Sequence, residues 1–254
     1  MNQDYKELQE KYLKLVKGKG TPVGIKLLKD KKKAPKKVIF PKEQRALCQY
    51  LKEAATYEKT RGVTKENLGG CLIGSRVLGF QEIPEEIEKK WIKGFGYTEE
   101  RFRQLMDKMN KIKIGKYEAA ILAPLKEFNE LKIDPEVVIT TINTAQAYLL
   151  LQGIFDKTGE KTSSTMNGHA TCETIVSVQE KGKTWISIPC GGTRSLSGVQ
   201  DDELWMGMTP EKLGKALERM EETNIKYPLA VNQMVITQPN PKHTLTSLIT
   251  DEED

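Results

Sequence analysis

Four cysteines, Cys48, Cys71, Cys172 and Cys190, carry the most telling chemistry in this 254-residue chain. They form two pairs, separated by 23 residues in the first and 18 in the second, and neither has a CxxC or other tight metal-binding spacing. Spacing thus excludes a zinc ribbon or finger. Four separated thiolates can still converge if two halves of a chain pack face to face. All four cysteines are therefore candidate ligands for zinc or an iron–sulfur cluster. The competing expectation is burial as small apolar groups, the usual fate of free cysteines, for Cys48 and Cys172 on the apolar sides of expected helices.

Each second cysteine precedes small residues closed by an arginine: Cys71-Leu-Ile-Gly-Ser-Arg76 and Cys190-Gly-Gly-Thr-Arg194. Gly191, Gly192, Thr193 and Arg194, with Arg76, offer backbone N–H groups, a hydroxyl and guanidinium groups suited to a carboxylate or phosphate. Carboxylates meeting Arg76 and Arg194 could belong to an anionic, tetrapyrrole-like cofactor. The run lacks the GKS/GKT ending of a Walker loop. The alternative is a tight turn in which Arg194 pairs with Asp201 or Asp202. A thiolate at Cys190 beside Arg194 would have a lowered pKa, which favours ligation or nucleophilic attack.

His169 stands three residues before Cys172, so on a common helix the two would share a face and could form a nucleophilic pair. No orienting third residue is identifiable, and no catalytic residue is assigned. His243 sits in the proline-rich Pro239-Asn-Pro-Lys-His turn. Trp91, Trp185 and Trp205, within apolar runs, read as core anchors.

The elements that must position these residues alternate. Apolar spacing predicts an amphipathic helix over Asp4–Val16, a strand over Pro22–Leu28 and a helix from Pro41 to Lys59. Helices are expected over Pro84–Ile92 and Thr98–Met109, and strands over Tyr117–Leu122 and Val137–Ile142. A helix over Thr144–Phe155 is stopped by Gly159. Cys172–Val178 then reads as a helix, Thr184–Ile188 and Leu204–Met208 as strands, and Thr209-Pro210 opens a helix to Thr223.

Two halves are discernible. Gly96–Met109 lies on Gly207–Met220 without a gap, sharing glycine, threonine, Glu100 with Glu211 and the final methionine. Cys48-Gln-Tyr-Leu lies on Cys172-Glu-Thr-Ile, and Cys71–Arg76 on Cys190–Arg194 with one residue fewer. The expected fold is α/β or α+β, two similar halves from an internal duplication related by a pseudo-twofold axis and forming one compact unit. Residues 1–20 form an N-terminal helix, 21–125 and 126–230 the halves, and 231–254 a C-terminal tail, partly disordered. The Cys71 and Cys190 segments should meet across the axis.

Composition narrows the functional classes. With 38% hydrophobic and 30% charged residues, the chain reads as globular rather than fibrous or disordered. The net charge of +5 arises largely from a lysine-rich run, Lys26 to Lys37. Phe40 is the only aromatic close to it, so a solvated loop is expected rather than a nucleic-acid surface. The opening residues are charged, with no secretory signal. The most apolar window, Val137–Ile154, is interrupted by threonines, glutamines and an asparagine, and cannot span a bilayer cleanly. A cytoplasmic location follows, with no membrane or nucleic-acid partner.

The run from Cys71 to Gly79-Phe80, His169-Ala-Thr-Cys172, Cys190–Arg194 and Asp201-Asp202-Glu203-Leu204 together resemble the archaeal and bacterial proteins grouped as domain of unknown function 169. The resemblance extends from Pro22 to Leu229 and is strongest between Cys172 and Glu203. It implies ancestry and a shared fold, but no reaction. The expected function is binding of a metal centre or small anionic cofactor in an accessory or redox role. Two alternatives remain: an enzyme with Cys172 or Cys190 as nucleophile, and a non-catalytic regulatory or interaction module with structural cysteines. A homodimer is left open.

Overall fold

The computed structural model describes residues 3–162, 164 and 168–229; His243 and the expected C-terminal tail from 231 lie outside the described residues. Its elements, in chain order, are α1 (Tyr5–Leu15), β1 (Val23–Leu28), α2 (Leu47–Tyr57), β2 (Arg61–Val63), α3 (Leu72–Val77), α4 (Glu85–Phe95), α5 (Glu99–Lys108) and β3 (Ala119–Pro124). There follow α6 (Glu127–Leu131), β4 (Val137–Ile142), α7 (Thr144–Thr158), α8 (Glu173–Lys181), β5 (Trp185–Ser187), α9 (Gly191–Ser197), β6 (Leu204–Met208) and α10 (Pro210–Glu222).

The strands form one sheet in the order β2-β3-β1-β4-β6-β5, and neighbouring strands run antiparallel. Residues from before and after β4 thus build opposite sides of a continuous sheet. One row of partners runs Arg61, Leu122, Ile25, Val137, and the next runs Val23, Ile139, Gly207, Trp185. β1 and β4 meet over three residue pairs, Val23 with Ile139, Gly24 with Val138 and Ile25 with Val137.

The sheet is buried on both faces, which explains why its central strands read as nearly unbroken apolar runs. On one face α1, α6, α7 and α10 cover Ile121, Val138, Met206 and Met208. Helix α7 packs against α10, where a Cβ on Gly153 would stand 2.7 Å from the Ala216 carbonyl oxygen. Glycine there sets how closely two backbones approach. On the other face α2, α3, α5 and α8 pack over Ile25, Leu122, Val137 and Ile139. This second layer carries the cysteines.

Three differences from the sequence reading have local causes. Helix α2 starts at Leu47, six residues after Pro41, because Ala46 is the extended residue before the first turn and its N–H donates to Gln49 Oε1. The small-residue runs that follow Cys71 and Cys190 are helices, α3 and α9, with the two cysteines at the N-cap positions and the Cys190 sulfur accepting the Thr193 N–H. The match of Gly96–Met109 with Gly207–Met220 joins unlike positions. Gly96 is the left-handed C-cap of α4, whereas Gly207 lies inside β6; α5 precedes a strand and α10 follows one. The shared threonines, Thr98 and Thr209, are N-caps whose hydroxyls accept from Arg101 and Lys212 N–H, a generic helix start.

The lysine-rich segment contains a short 3₁₀ turn, Lys31–Lys33, with exposed side chains. Lys26 and Lys37 pair with Glu136 and Glu130, and the Lys31 ammonium lies 4.8 Å from the centre of the Phe40 ring. No helix among the described residues is long and apolar enough to cross a membrane.

Candidate functional site

All four cysteines stand at helix starts. Cys71, Cys172 and Cys190 are the N-cap residues of α3, α8 and α9, and Cys48 is the second residue of α2. Local structure joins them in pairs. The Gly70 N–H donates to Arg45 O, and a Cβ on Gly70 would fall 2.6 Å from the Ala46 nitrogen. That close backbone approach sets Cys71 beside the first turn of α2 and Cys48. In the other pair Thr171 Oγ1 accepts the Cys190 N–H at 2.7 Å, while its carbonyl accepts from Thr174 Oγ1, fastening the start of α9 to that of α8. Helix α2 packs against α9, which brings the pairs together.

Cys48, Cys71, Cys172 and Cys190 all line one cavity of about 540 Å³. Its other walls are largely apolar. Trp91 and Phe95 from α4, and Phe102 and Leu105 from α5, form a roof. No residue of α4 is buried, and Phe95 is 70% exposed. Gly191, Gly192, Thr193 and Leu196 add the start of α9.

The thiols are chemically unequal. Burial pushes Cys48 up to about 11, with the negative charge of Cys71 and Cys190 adding to it and the Thr193 and Ser197 hydroxyls opposing it. Burial raises Cys71 too, partly offset by the N–H groups of Ile73 and Gly74. Cys172 is driven well above the usual thiol range, by burial first and then by the other three cysteines. At Cys190 burial also raises the pKa, but hydrogen bonds from Thr171 and Thr193 outweigh it and leave the thiol lowered. Its sulfur accepts the Thr193 N–H at 3.4 Å and lies the same distance from Thr193 Oγ1. The pocket therefore combines one sulfur whose pKa is lowered by hydrogen bonding with three whose pKa values are raised by burial.

The two arginines are engaged outside this cavity. Arg194 donates to the carbonyls of Pro189 and Gln200 and pairs with Asp201 at 2.7 Å, the tight-turn alternative. Arg76 pairs with Glu82 at 2.7 Å and reaches Ile112 O. Neither lines the pocket, whereas Gly191, Gly192 and Thr193 do. His169 lines it as well, from a bend ahead of α8 rather than from a shared helical face with Cys172, and its Nε2 lies 3.2 Å from the Tyr97 hydroxyl. Among the described residues no three cysteine, histidine, aspartate or glutamate side chains are disposed as a metal-ligand set.

Of the tryptophans, Trp205 is a core residue and Trp185 is buried, but Trp91 faces the cavity. The aromatic roof escaped the sequence reading. Its signal was available in α4, an amphipathic helix with Trp91 and Phe95 on one side and no adjoining strand to cover.

A mixed α/β protein with cysteine-capped helices around an apolar pocket is the class that fold and site define. The chain belongs to the DUF169 family, described as uncharacterised ArCR, whose model matches residues 12–219. It is also 24% identical over 205 residues to an uncharacterized protein of Methanocaldococcus jannaschii, covering 78% of this chain and 86% of that one. No solved structure matches it.

Proposed function

We propose that the protein holds a soft metal centre, or a cofactor bearing one, in the cysteine pocket, and acts as a cofactor-handling or redox accessory protein. The observation that carries this is the convergence of four cysteines, distant in sequence, on one cavity. Core burial alone does not require four thiols to face a common space. Thiolate donors select zinc, copper(I) or iron–sulfur centres. About 540 Å³ is room for more than a single ion, and the present side-chain placement does not form a compact tetrahedral set. An iron–sulfur cluster or metal-bearing organic cofactor suits these dimensions better than structural zinc.

We also infer an internal duplication, which would fit the same reading. When Val23–Leu28 is laid on Val137–Ile142, Arg61–Val63 on Trp185–Ser187 and Leu122 on Gly207, the two rows of strand partners exchange places. The cysteines follow suit. Cys48 and Cys172 sit at the starts of helices that precede the edge strands β2 and β5, and Cys71 and Cys190 cap the helices that follow them. A pseudo-twofold axis between β1 and β4 would bring four such positions together as two related pairs.

Anaerobic purification followed by metal analysis, acid-labile sulfide analysis and visible spectroscopy tests the proposal. The expected result is a sulfur-to-metal charge-transfer spectrum that is lost when Cys71 and Cys190 are changed to serine together. A wild-type chain that stays colourless and takes up neither cobalt(II) nor an iron–sulfur cluster on reconstitution refutes it.

A further inference from the structure

A second cavity of about 350 Å³ adjoins the cysteine pocket and shares Tyr97, Leu105 and His169 with it. Its chemistry is different. Arg101 and Lys108 enter from α5 and Lys181 from α8, while Gln104 and Asn110 add amides. Glu173 is the one acid in the wall, and its Oε2 accepts the Asn110 N–H at 3.0 Å. Arg101 Nη1 donates to Gln104 Oε1, and the Lys181 ammonium lies 4.9 Å from the centre of the Trp185 ring. The described ion pairs do not engage Arg101, Lys108 or Lys181. Lys108 and Lys181 stand in the last turns of their helices, where the helix dipole favours cations. That would account for each lysine alone. It does not account for three cations from two helices around one concavity that opens into an apolar, thiol-lined chamber.

We infer that the two cavities form one site for an amphipathic organic anion, its apolar or metal-bearing body among the cysteines and its carboxylate or phosphate arm between Arg101, Lys108 and Lys181. This inference rests on the cysteine pocket being a ligand site and specifies the kind of occupant. A bare inorganic cluster would leave the cationic chamber without a purpose. The anion contacts also fall to residues other than Arg76 and Arg194, whose charges are met by Glu82 and Asp201.

The test uses the full chain, anilinonaphthalene sulfonate as an amphipathic anion and phenylnaphthylamine as its uncharged counterpart. The variant carries Arg101→Glu, Lys108→Glu and Lys181→Glu, all at exposed positions, so the fold should persist. Loss of charge-assisted bonds should weaken sulfonate binding about tenfold or more, with less than about a twofold change for the neutral probe. Equal loss of both probes, loss of neither, or no sulfonate binding by the wild-type chain overturns the inference. Cobalt(II) uptake by the same variant should stay at the wild-type level. Its absence from both proteins would count against the metal reading, and the difference between the two probes would still decide the anion site.

Discussion

Replacing Thr193 with valine keeps the shape of a buried side chain and removes a hydroxyl that lies 3.4 Å from the Cys190 sulfur. A hydrogen bond to a charged group is worth about 1.5–3 kcal/mol, and contact at this length belongs near the lower end. With about 1.4 kcal/mol per pKa unit, the Cys190 pKa should rise by about one unit. The direction is fixed because the lost donor favours the thiolate, while the Thr193 N–H and Thr171 continue to help it. Alkylation by iodoacetamide, read cysteine by cysteine by mass spectrometry across pH on metal-free protein, separates access from ionisation. Access sets the plateau rate; ionisation sets the midpoint. Wild-type Cys190 should have the lowest midpoint of the four, and in the variant its rate on the acidic side should fall about tenfold. An unmoved Cys190 midpoint would refute the claim that hydroxyl donation at this helix start overcomes burial. A wild-type midpoint above that of Cys71 would do so equally.

Three further outcomes follow from the geometry. Arg194→Ala should lower stability by about 1–2 kcal/mol, seen as a lower melting temperature, and leave metal uptake unchanged; reduced uptake at unchanged stability would return Arg194 to the ligand site. Cys48 ionises near 11 in the fold, so its contribution is fully in place below the unfolded thiol's value of about 9 and lost as pH rises through 11. Urea midpoints measured at about pH 8 and pH 11 should therefore fall less in Cys48→Ala than in the wild type. Gly153→Ala would press a methyl onto the α10 backbone at 2.7 Å and should destabilise by about 1–3 kcal/mol without affecting the cysteine pocket, which lies on the opposite face of the sheet.

How much was legible in the sequence depended on range. Strands such as Val137–Ile142 and helices such as α10 were readable because their patterns and caps are local. The equivalence of Cys48 with Cys172 and of Cys71 with Cys190 belongs to the proposed duplication and rests on residue order alone. Sheet order was not readable, because strand partners are set by contacts distant in sequence, and β2, three residues long, carries too little alternation to be distinguished from a loop. The helical form of the Cys190 run was not legible because glycines suggest freedom, whereas its cysteine cap and the Ser195 and Ser197 hydroxyls bonded to Gly191 O and Thr193 O accompany a helical turn. What Arg76 and Arg194 hold depends on Glu82 and Asp201, and several acids nearby in sequence were equally available. The roof and cationic chamber depend on where α4 and α5 cross the second layer, which no short spacing encodes.

The seam between β1 and β4 has one further consequence. It is three residue pairs long, against six for β1 with β3 and five for β4 with β6, so the join between the two sides is shorter than the pairing that flanks it. An occupant gripped by cysteines from both sides would act as a clasp across that joint. Filling or emptying the pocket would then decide whether the sides move as one body, and amide exchange at Val23, Ile25, Val137 and Ile139 would report it.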